Sequence, residues 1–192
     1  VDIRQSKIGV IGLGQMGAGI AANLIKAGFA VTGYDLRQEP INRLGELGGH
    51  MAANAEALVE SCDVVLPVLE SHAAIHLADT LFIPKARPGQ FFVDHSTLPV
   101  PETRRIGQAL VAKGAHFLDA PISGGKIGAA AGALRIFVGG DRATAEECWP
   151  IFEAIGAPEK IVYCGPIGMG QVAKVVQQLT VRLPNLARLE VM

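Results

Sequence analysis

Lys7-Ile8-Gly9-Val10-Ile11-Gly12-Leu13-Gly14-Gln15-Met16-Gly17 decides how this chain folds. Lys7–Ile11, with its apolar run Ile8-Gly9-Val10-Ile11, reads as a short buried strand and leads straight into Gly12-x-Gly14-x-x-Gly17. From Met16 to Ala27 the spacing turns helical, with Ile20, Leu24 and Ile25 apolar and Gly28 placed as a C-terminal stop. Strand, glycine turn and helix in that order separate a dinucleotide fingerprint from a chance spacing of glycines. The first glycine permits the tight turn, the second lets a pyrophosphate approach the backbone, and the third lets helix and strand pack closely. Amides at the helix N-terminus then face the phosphates. A second strand, Phe29–Tyr34, ends at Asp35, close to the separation of about 20 residues at which an acid binds the adenosine ribose. A cofactor site is therefore expected at Gly12, Leu13, Gly14, Gln15, Met16, Gly17 and Asp35. A carboxylate at position 35 repels a 2′-phosphate and favours NAD. Arg37 beside it weakens that preference, so NADP stays a candidate.

Outward from this unit the pattern repeats. Helices are expected over Pro40–Leu47, Ala55–Ser61, His72–Leu81, Pro101–Lys113 and Ala143–Ile155. Strands are expected near Met51 and over Asp63–Leu69, Gln90–Asp94, His116–Asp119, Leu134–Val138 and Ile161–Tyr163. The segment from Gly170 onward reads as a helix until Pro184 disturbs it. Alternating strands and helices mean βαβ units, so the fold class is α/β, a doubly wound, mainly parallel sheet of Rossmann type.

Composition narrows the function classes. Of 192 residues, 49% are hydrophobic and 18% charged, enough for a large core and for some apolar surface to meet another domain or subunit. A net charge of −1, with no long run of either sign, gives no support for nucleic-acid or anionic-membrane binding. No apolar stretch is long enough to span a bilayer, and the N-terminal run is too interrupted by glycine for a signal peptide. Cys62, Cys148 and Cys164 are scattered and odd in number, which suggests neither disulfides nor zinc and points to a reducing, cytoplasmic setting.

Of the 23 glycines, 14 gather in three places. The second gathering follows Asp119-Ala120-Pro121-Ile122-Ser123-Gly124-Gly125, where a hydroxyl and exposed amides could grip a carboxylate; an ordinary flexible turn explains this motif equally well. In the third, Gly168-Met169-Gly170 precedes Lys174. A lone helical lysine is usually a solvated surface group, yet reducing a ketone requires a proton donor and an ammonium can serve.

Taken together, these motifs resemble the β-hydroxyacid dehydrogenase family, which includes 3-hydroxyisobutyrate dehydrogenase, tartronate semialdehyde reductase (2-hydroxy-3-oxopropionate reductase) and, more distantly, 6-phosphogluconate dehydrogenase. The ordered set is the Gly12–Gly17 turn, Asp94-His95-Ser96-Thr97 with Pro101, Asp119–Gly125 with Gly128-Ala129, Gly139-Gly140, and Gly168-x-Gly170-x-x-x-Lys174. The resemblance implies that Leu69, Glu70 and Thr97 lie along the nicotinamide half of the cofactor. It implies that Ser123, Gly124 and Gly125 hold the carboxylate of a small hydroxy acid, and that Lys174 is the catalytic acid/base. Gln178 stands near the place of the family's asparagine, and Glu70 where the family commonly has proline. The family continues through a long helix into a helical second domain that closes the active site and builds a homo-oligomer, a dimer. Here the match fades after Thr180, and Val181-Arg182-Leu183-Pro184-Asn185 sets a proline in that helix. Residues 1–165 are thus expected to be the dinucleotide-binding domain. Residues 166–192 would begin the inter-domain helix, with the rest of the helical domain cut off.

The leading reading is an NAD(P)-dependent oxidoreductase moving a hydride between nicotinamide and a small β-hydroxy acid or its semialdehyde. A cofactor-binding module without turnover, for want of the second domain, is the alternative; a class I methyltransferase fits the first turn but not the later motifs. His72 and His76 could share a helix face but lack a third metal ligand, so no metal site is expected. His95 and Ser96 lack the G-x-S-x-G setting of a hydrolase. Cys148 and Trp149 read as core. Tyr163 lacks the lysine four residues on that a short-chain dehydrogenase would show.

Overall fold

The computed structural model describes residues 2–190, apart from the side chains of Arg182 and of residues 185–190; Met192, the end of the sequence reading, lies outside them. The first half is a run of parallel βα units: β1 (Lys7–Ile11), α1 (Gln15–Lys26), β2 (Ala30–Tyr34), α2 (Gln38–Glu46), β3 (His50–Met51), α3 (Ala55–Ser61) and β4 (Val64–Pro67). Next come α4 (Ser71–Leu77), a π-helical turn over Ala78–Phe82, α5 (Ile83–Lys85), β5 (Phe91–Asp94), α6 (Val100–Ala112) and β6 (His116–Asp119). The six strands lie in the order β3-β2-β1-β4-β5-β6, all parallel. β7 (Ile122–Ser123), α7 (Gly125–Ala130), β8 (Leu134–Gly140), α8 (Arg142–Glu147), α9 (Trp149–Ile155), β9 (Gly156–Gly165) and α10 (Met169–Glu190) complete the chain. β8 adds to β6 antiparallel, and it pairs β7 antiparallel and β9 parallel.

The central strands are buried on both faces, which is why they read as continuous Val/Ile/Leu/Phe runs rather than alternating ones. Alternation reappears in what each side chain meets. Val64, Leu66, Phe91 and Val93 pack into the layer of Ile20 and Leu24 from α1, Leu44 from α2 and Phe152 from α9. Val65 and Phe92 turn the other way, onto Leu58 of α3, Ala74 of α4 and Ile106 and Leu110 of α6. Each such fully buried side chain contributes about 1.5–3 kcal/mol relative to exposure. The sheet is thus covered on both faces, and strand order reverses between β1 and β4, where ligands of doubly wound sheets bind.

Three differences from the sequence reading have local causes. The single helix expected over Ala143–Ile155 is two, α8 and α9, because Pro150 in the first turn of α9 has no amide to continue the ladder. The last strand is far longer than Ile161–Tyr163, since pairing with β8 carries it from Gly156 through Pro158 with a register shift. Most clearly, Pro184 does not end the last helix: α10 runs on to Glu190 with the proline inside it. Pro184 and Thr180, whose carbonyl loses its amide partner there, are both exposed, so water can take the freed bond.

Candidate cofactor site

The three glycines of the first turn do three different things. Gly12 sits at φ +94, and its amide donates to the Tyr34 carbonyl at 2.9 Å. A β-carbon there would run into the Val68 carbonyl oxygen, so backbone packing excludes any other residue. A β-carbon on Gly17 would overlap the Gly12 carbonyl oxygen, because helix and turn touch at that point. Gly14 is the exception. The nearest atom to its absent β-carbon is Arg37 Nη2 at 3.9 Å, and Gly14 caps α1 with no side-chain hydrogen bond to the first-turn amides. Open space in front of uncapped helix amides is where an anionic group fits.

Asp35, at the end of β2, is tied to this turn. Its Oδ2 accepts the Leu13 amide at 2.8 Å, and its Oδ1 accepts the Arg37 amide at 2.9 Å and Arg37 Nε at 3.0 Å. Burial would push this carboxyl up, but the Arg37 guanidinium and the two amides outweigh it and hold the group below the usual carboxylate range. The Asp35 side chain is 10% exposed and that of Arg37 64%, so the guanidinium is the outward member of the pair. Leu13 contributes only its amide to this arrangement; its side chain is buried in the core.

A cleft of about 620 Å³ opens over the C-terminal ends of β1, β4 and β5. It gathers Gly12, Gly14, Gln15, Met16, Gly17, Asp35 and Arg37 from the first half of the fold. Leu69, Glu70, His95, Ser96 and Thr97 line it from the second. Ser96 is buried and works as a strut: its Oγ accepts the Leu69 amide at 3.1 Å, and its own amide donates to Asp94 Oδ1 at 2.8 Å. Burial pushes the Asp94 carboxyl up to about 7, against the Ser96 bonds that lower it. His95 Nδ1 meets the Ala120 carbonyl at 2.8 Å, which requires the proton on Nδ1, and burial pushes the ring down to about 4. Its Nε2 is buried without a hydrogen-bond partner. Both features describe a neutral imidazole set into the cleft floor, and no hydrogen bond joins its Nε2 to Ser96 as a dyad would require.

The residues expected to meet substrate lie on β7, at the start of α7 and on α10. Ser123 is in β7, paired with Arg135 of β8, and Gly124 and Gly125 follow at φ +148 and +61. No atom lies within 4 Å of the place a β-carbon on Gly125 would take. Lys174 and Gln178 share a face of α10 one turn apart; Lys174 is only 6% exposed and therefore no solvated surface lysine. None of the five is among the residues lining the cleft. His72 and His76 are exposed, and no group of three or more His, Cys, Asp or Glu is placed to hold a metal among the described residues. Cys148 is fully buried, with its thiol pushed up to about 12, and Tyr163 is held by a bond from its hydroxyl to the Gly140 carbonyl at 3.0 Å. No helix among the described residues is long and apolar enough to cross a membrane.

Residues 7–165 match the model of the NAD-binding domain of 6-phosphogluconate dehydrogenase. The chain belongs to that family. The NAD-dependent L-serine dehydrogenase of Pseudomonas aeruginosa is 41% identical over 172 residues, covering 88% of this chain and 57% of that protein. A probable 3-hydroxyisobutyrate dehydrogenase of Mycobacterium bovis is 35% identical, covering 94% and 60%. The solved structure of Mycobacterium tuberculosis 3-hydroxyisobutyrate dehydrogenase with L-serine superposes with a TM-score of 0.87 at 34% identity, over 95% of this chain and 62% of that one. The chain thus spans roughly three-fifths of the length of such relatives.

As an NAD-binding domain of this family, the chain carries supporting residues that pattern reading passed over. Asp119 was visible only as the start of the Ser123 motif, yet it lies fully buried beneath α10. Gln171, between Gly170 and Lys174, is equally buried. The Gly139-Gly140 pair has its reason here: a β-carbon on Gly139 would stand 2.6 Å from Asp119 Oδ1. An acid ending an apolar strand, directly before Ser123-Gly124-Gly125, was the available signal.

Proposed function

We propose that this NAD-binding domain belongs to an oxidoreductase that moves a hydride between a nicotinamide cofactor and a small β-hydroxy acid or its semialdehyde. The observation that carries the reading is the open space before Gly14 and the uncapped amides of α1, continuous with a cleft that runs from Asp35 to Thr97. Those amides would hold the pyrophosphate, Asp35 the adenosine ribose, and Leu69, Glu70 and Thr97 the nicotinamide end. When bound, the cofactor supplies or accepts the hydride. Asp35 favours NAD, while the exposed Arg37 guanidinium leaves a counter-charge for the 2′-phosphate of NADP.

Ser123 and the amides of Gly124 and Gly125 would hold the substrate carboxylate. Lys174 would move the proton at the hydroxyl or carbonyl oxygen, its ammonium also steadying developing negative charge, with the Gln178 amide assisting. In this reading residues 1–165 are the dinucleotide-binding domain and residues from 166 begin the helix to a second, helical domain. Exposed Val175, Val176, Leu179 and Leu183 give α10 an apolar face for that domain and for a homo-oligomer.

L-serine and 3-hydroxyisobutyrate, named in the relatives, head the substrate panel. Turnover with NAD+ or NADP+ should fall by about 10²- to 10⁴-fold in Lys174→Ala. Unchanged turnover in that variant overturns the lysine's role, and saturable cofactor binding without turnover on any substrate makes this chain a binding module.

A further inference from the structure

Asp119 ends β6 with both carboxylate oxygens turned onto the start of α10. Oδ1 accepts the Gly168 amide at 2.7 Å and Oδ2 accepts the Gln171 amide at 3.0 Å, so a strand residue does for this helix what a neighbouring cap residue usually does. The approach is close because two glycines permit it. A β-carbon on Gly139 would lie 2.6 Å from Oδ1, and one on Gly170 would lie 2.8 Å from Oδ2 and 2.6 Å from the Asp119 carbonyl oxygen.

Gln171 extends the tie to the cofactor cleft. Its Nε2 donates to the Ser96 carbonyl at 2.8 Å, and its Oε1 accepts the Leu98 amide at 3.2 Å. These two bonds bracket Thr97, which lines the cleft. Through Ser96 Oγ the same chain of bonds reaches the Leu69 amide at the end of β4. One buried network therefore joins the ends of β4, β5 and β6 to the first turn of α10. Lys174 follows Gln171 by one turn on the same helix.

We infer that Asp119 and Gln171 form a clamp that fixes the Lys174 helix against the Thr97 loop, so that Asp119 is a positioning residue for the lysine. The inference rests on reading Lys174 as the acid/base. A clamp of this kind sets where the ammonium stands relative to the nicotinamide end, and a misplacement of about 1 Å can cost about 100-fold in rate. A cap serving stability alone would affect the whole domain together.

The test uses the 192-residue chain with Asp119→Asn, Gln171→Leu and Lys174→Ala. Three readouts need no turnover: amide hydrogen exchange over 168–176, NADH affinity by calorimetry, and the rate of reductive methylation of Lys174 followed by peptide mass spectrometry. In Asp119→Asn the asparagine keeps one acceptor and sets a donor against the other amide. Exchange in the first turn of α10 should rise roughly tenfold or more, and Lys174 labelling should accelerate several-fold while the other lysines stay unchanged. NADH affinity should stay within about threefold of the parent. Where turnover is measured, kcat should drop about 10- to 100-fold with KM for the hydroxy acid little changed. Gln171→Leu keeps the backbone bond to Asp119 but cuts the tie to Ser96 and Leu98, and should give the same local pattern; it answers the question if Asp119→Asn fails to fold. Parent-like exchange and labelling in both variants overturn the clamp, as does a uniform change at every lysine together with lost NADH binding. Full turnover in Lys174→Ala overturns the acid/base reading instead, and the labelling arm still decides the clamp.

Discussion

Replacing Gly14 by alanine should leave the fold intact and weaken cofactor binding. The backbone there, at φ −66 and ψ −164, is open to any L-residue, and the added methyl meets nothing closer than Arg37 Nη2 at 3.9 Å. Two small terms oppose each other. Alanine lowers the entropy of the unfolded chain, worth about 0.4–1 kcal/mol, and it is a poorer helix cap than glycine by a similar amount. The net change should lie within about 1 kcal/mol, or roughly 2–4 °C in Tm for a chain of this length. Binding is another matter, because the methyl takes the space a pyrophosphate oxygen needs to reach the α1 amides. Losing one or two charge-assisted hydrogen bonds of about 1.5–3 kcal/mol each raises the NADH Kd by at least about tenfold. Thermal melts by circular dichroism and NADH titration by calorimetry read the two effects separately. Destabilisation beyond about 2 kcal/mol would mean that the space is not open. Parent-like NADH affinity would mean that the helix N-terminus is not the phosphate seat.

Gly17→Ala should behave in the opposite way, since its methyl strikes the Gly12 carbonyl: a stability loss of roughly 3 kcal/mol in urea unfolding is expected, and a neutral result refutes the contact. Asp94, raised to about 7, stabilises the native state below about pH 4 and loses that contribution as pH rises through 7. His95, lowered to about 4, stabilises it above about pH 6.5 and loses that contribution as pH falls toward 4, so the two slopes oppose in the parent. Asp94→Asn keeps an acceptor for the Ser96 amide but removes the acid's titration; its urea stability should therefore fall more steeply than the parent's from pH 7 to 5, and parallel profiles contradict the assignment. Pro184→Ala restores an amide to α10 and should slow hydrogen exchange around 181–184, whereas unchanged exchange would show that the proline is not the weak point of that helix.

The first half of the fold was legible because each βα unit has its own local signal: an apolar run, a glycine at the turn and a helical stripe. β1 was bounded correctly at both ends, and α1 to within one residue. What failed was set by partners distant in sequence. β7 has two residues, too few to show a period, and is defined by pairing with β8. The glycine-rich α7 has poor helix propensity. It is held against α1 by Gly19 and by Asn23 Nδ2, which donates to the Ala129 carbonyl at 2.8 Å. At the cleft, motif spacing led to every residue lining its Asp35 side, because fingerprint and strand are contiguous in the chain. Ser96, Asp119 and Gln171 escaped assignment, since a buried polar residue shows its purpose only when its partners are seen.

The central claim is that the Gly12–Gly17 turn and Asp35 hold a nicotinamide dinucleotide, and calorimetric titration of the chain with NADH and NADPH tests it most directly. The account predicts saturable binding of one NADH per chain, tighter than NADPH, and weakened at least about tenfold when alanine fills the Gly14 space. No saturable binding of either dinucleotide at millimolar concentration, with the chain folded, would contradict it.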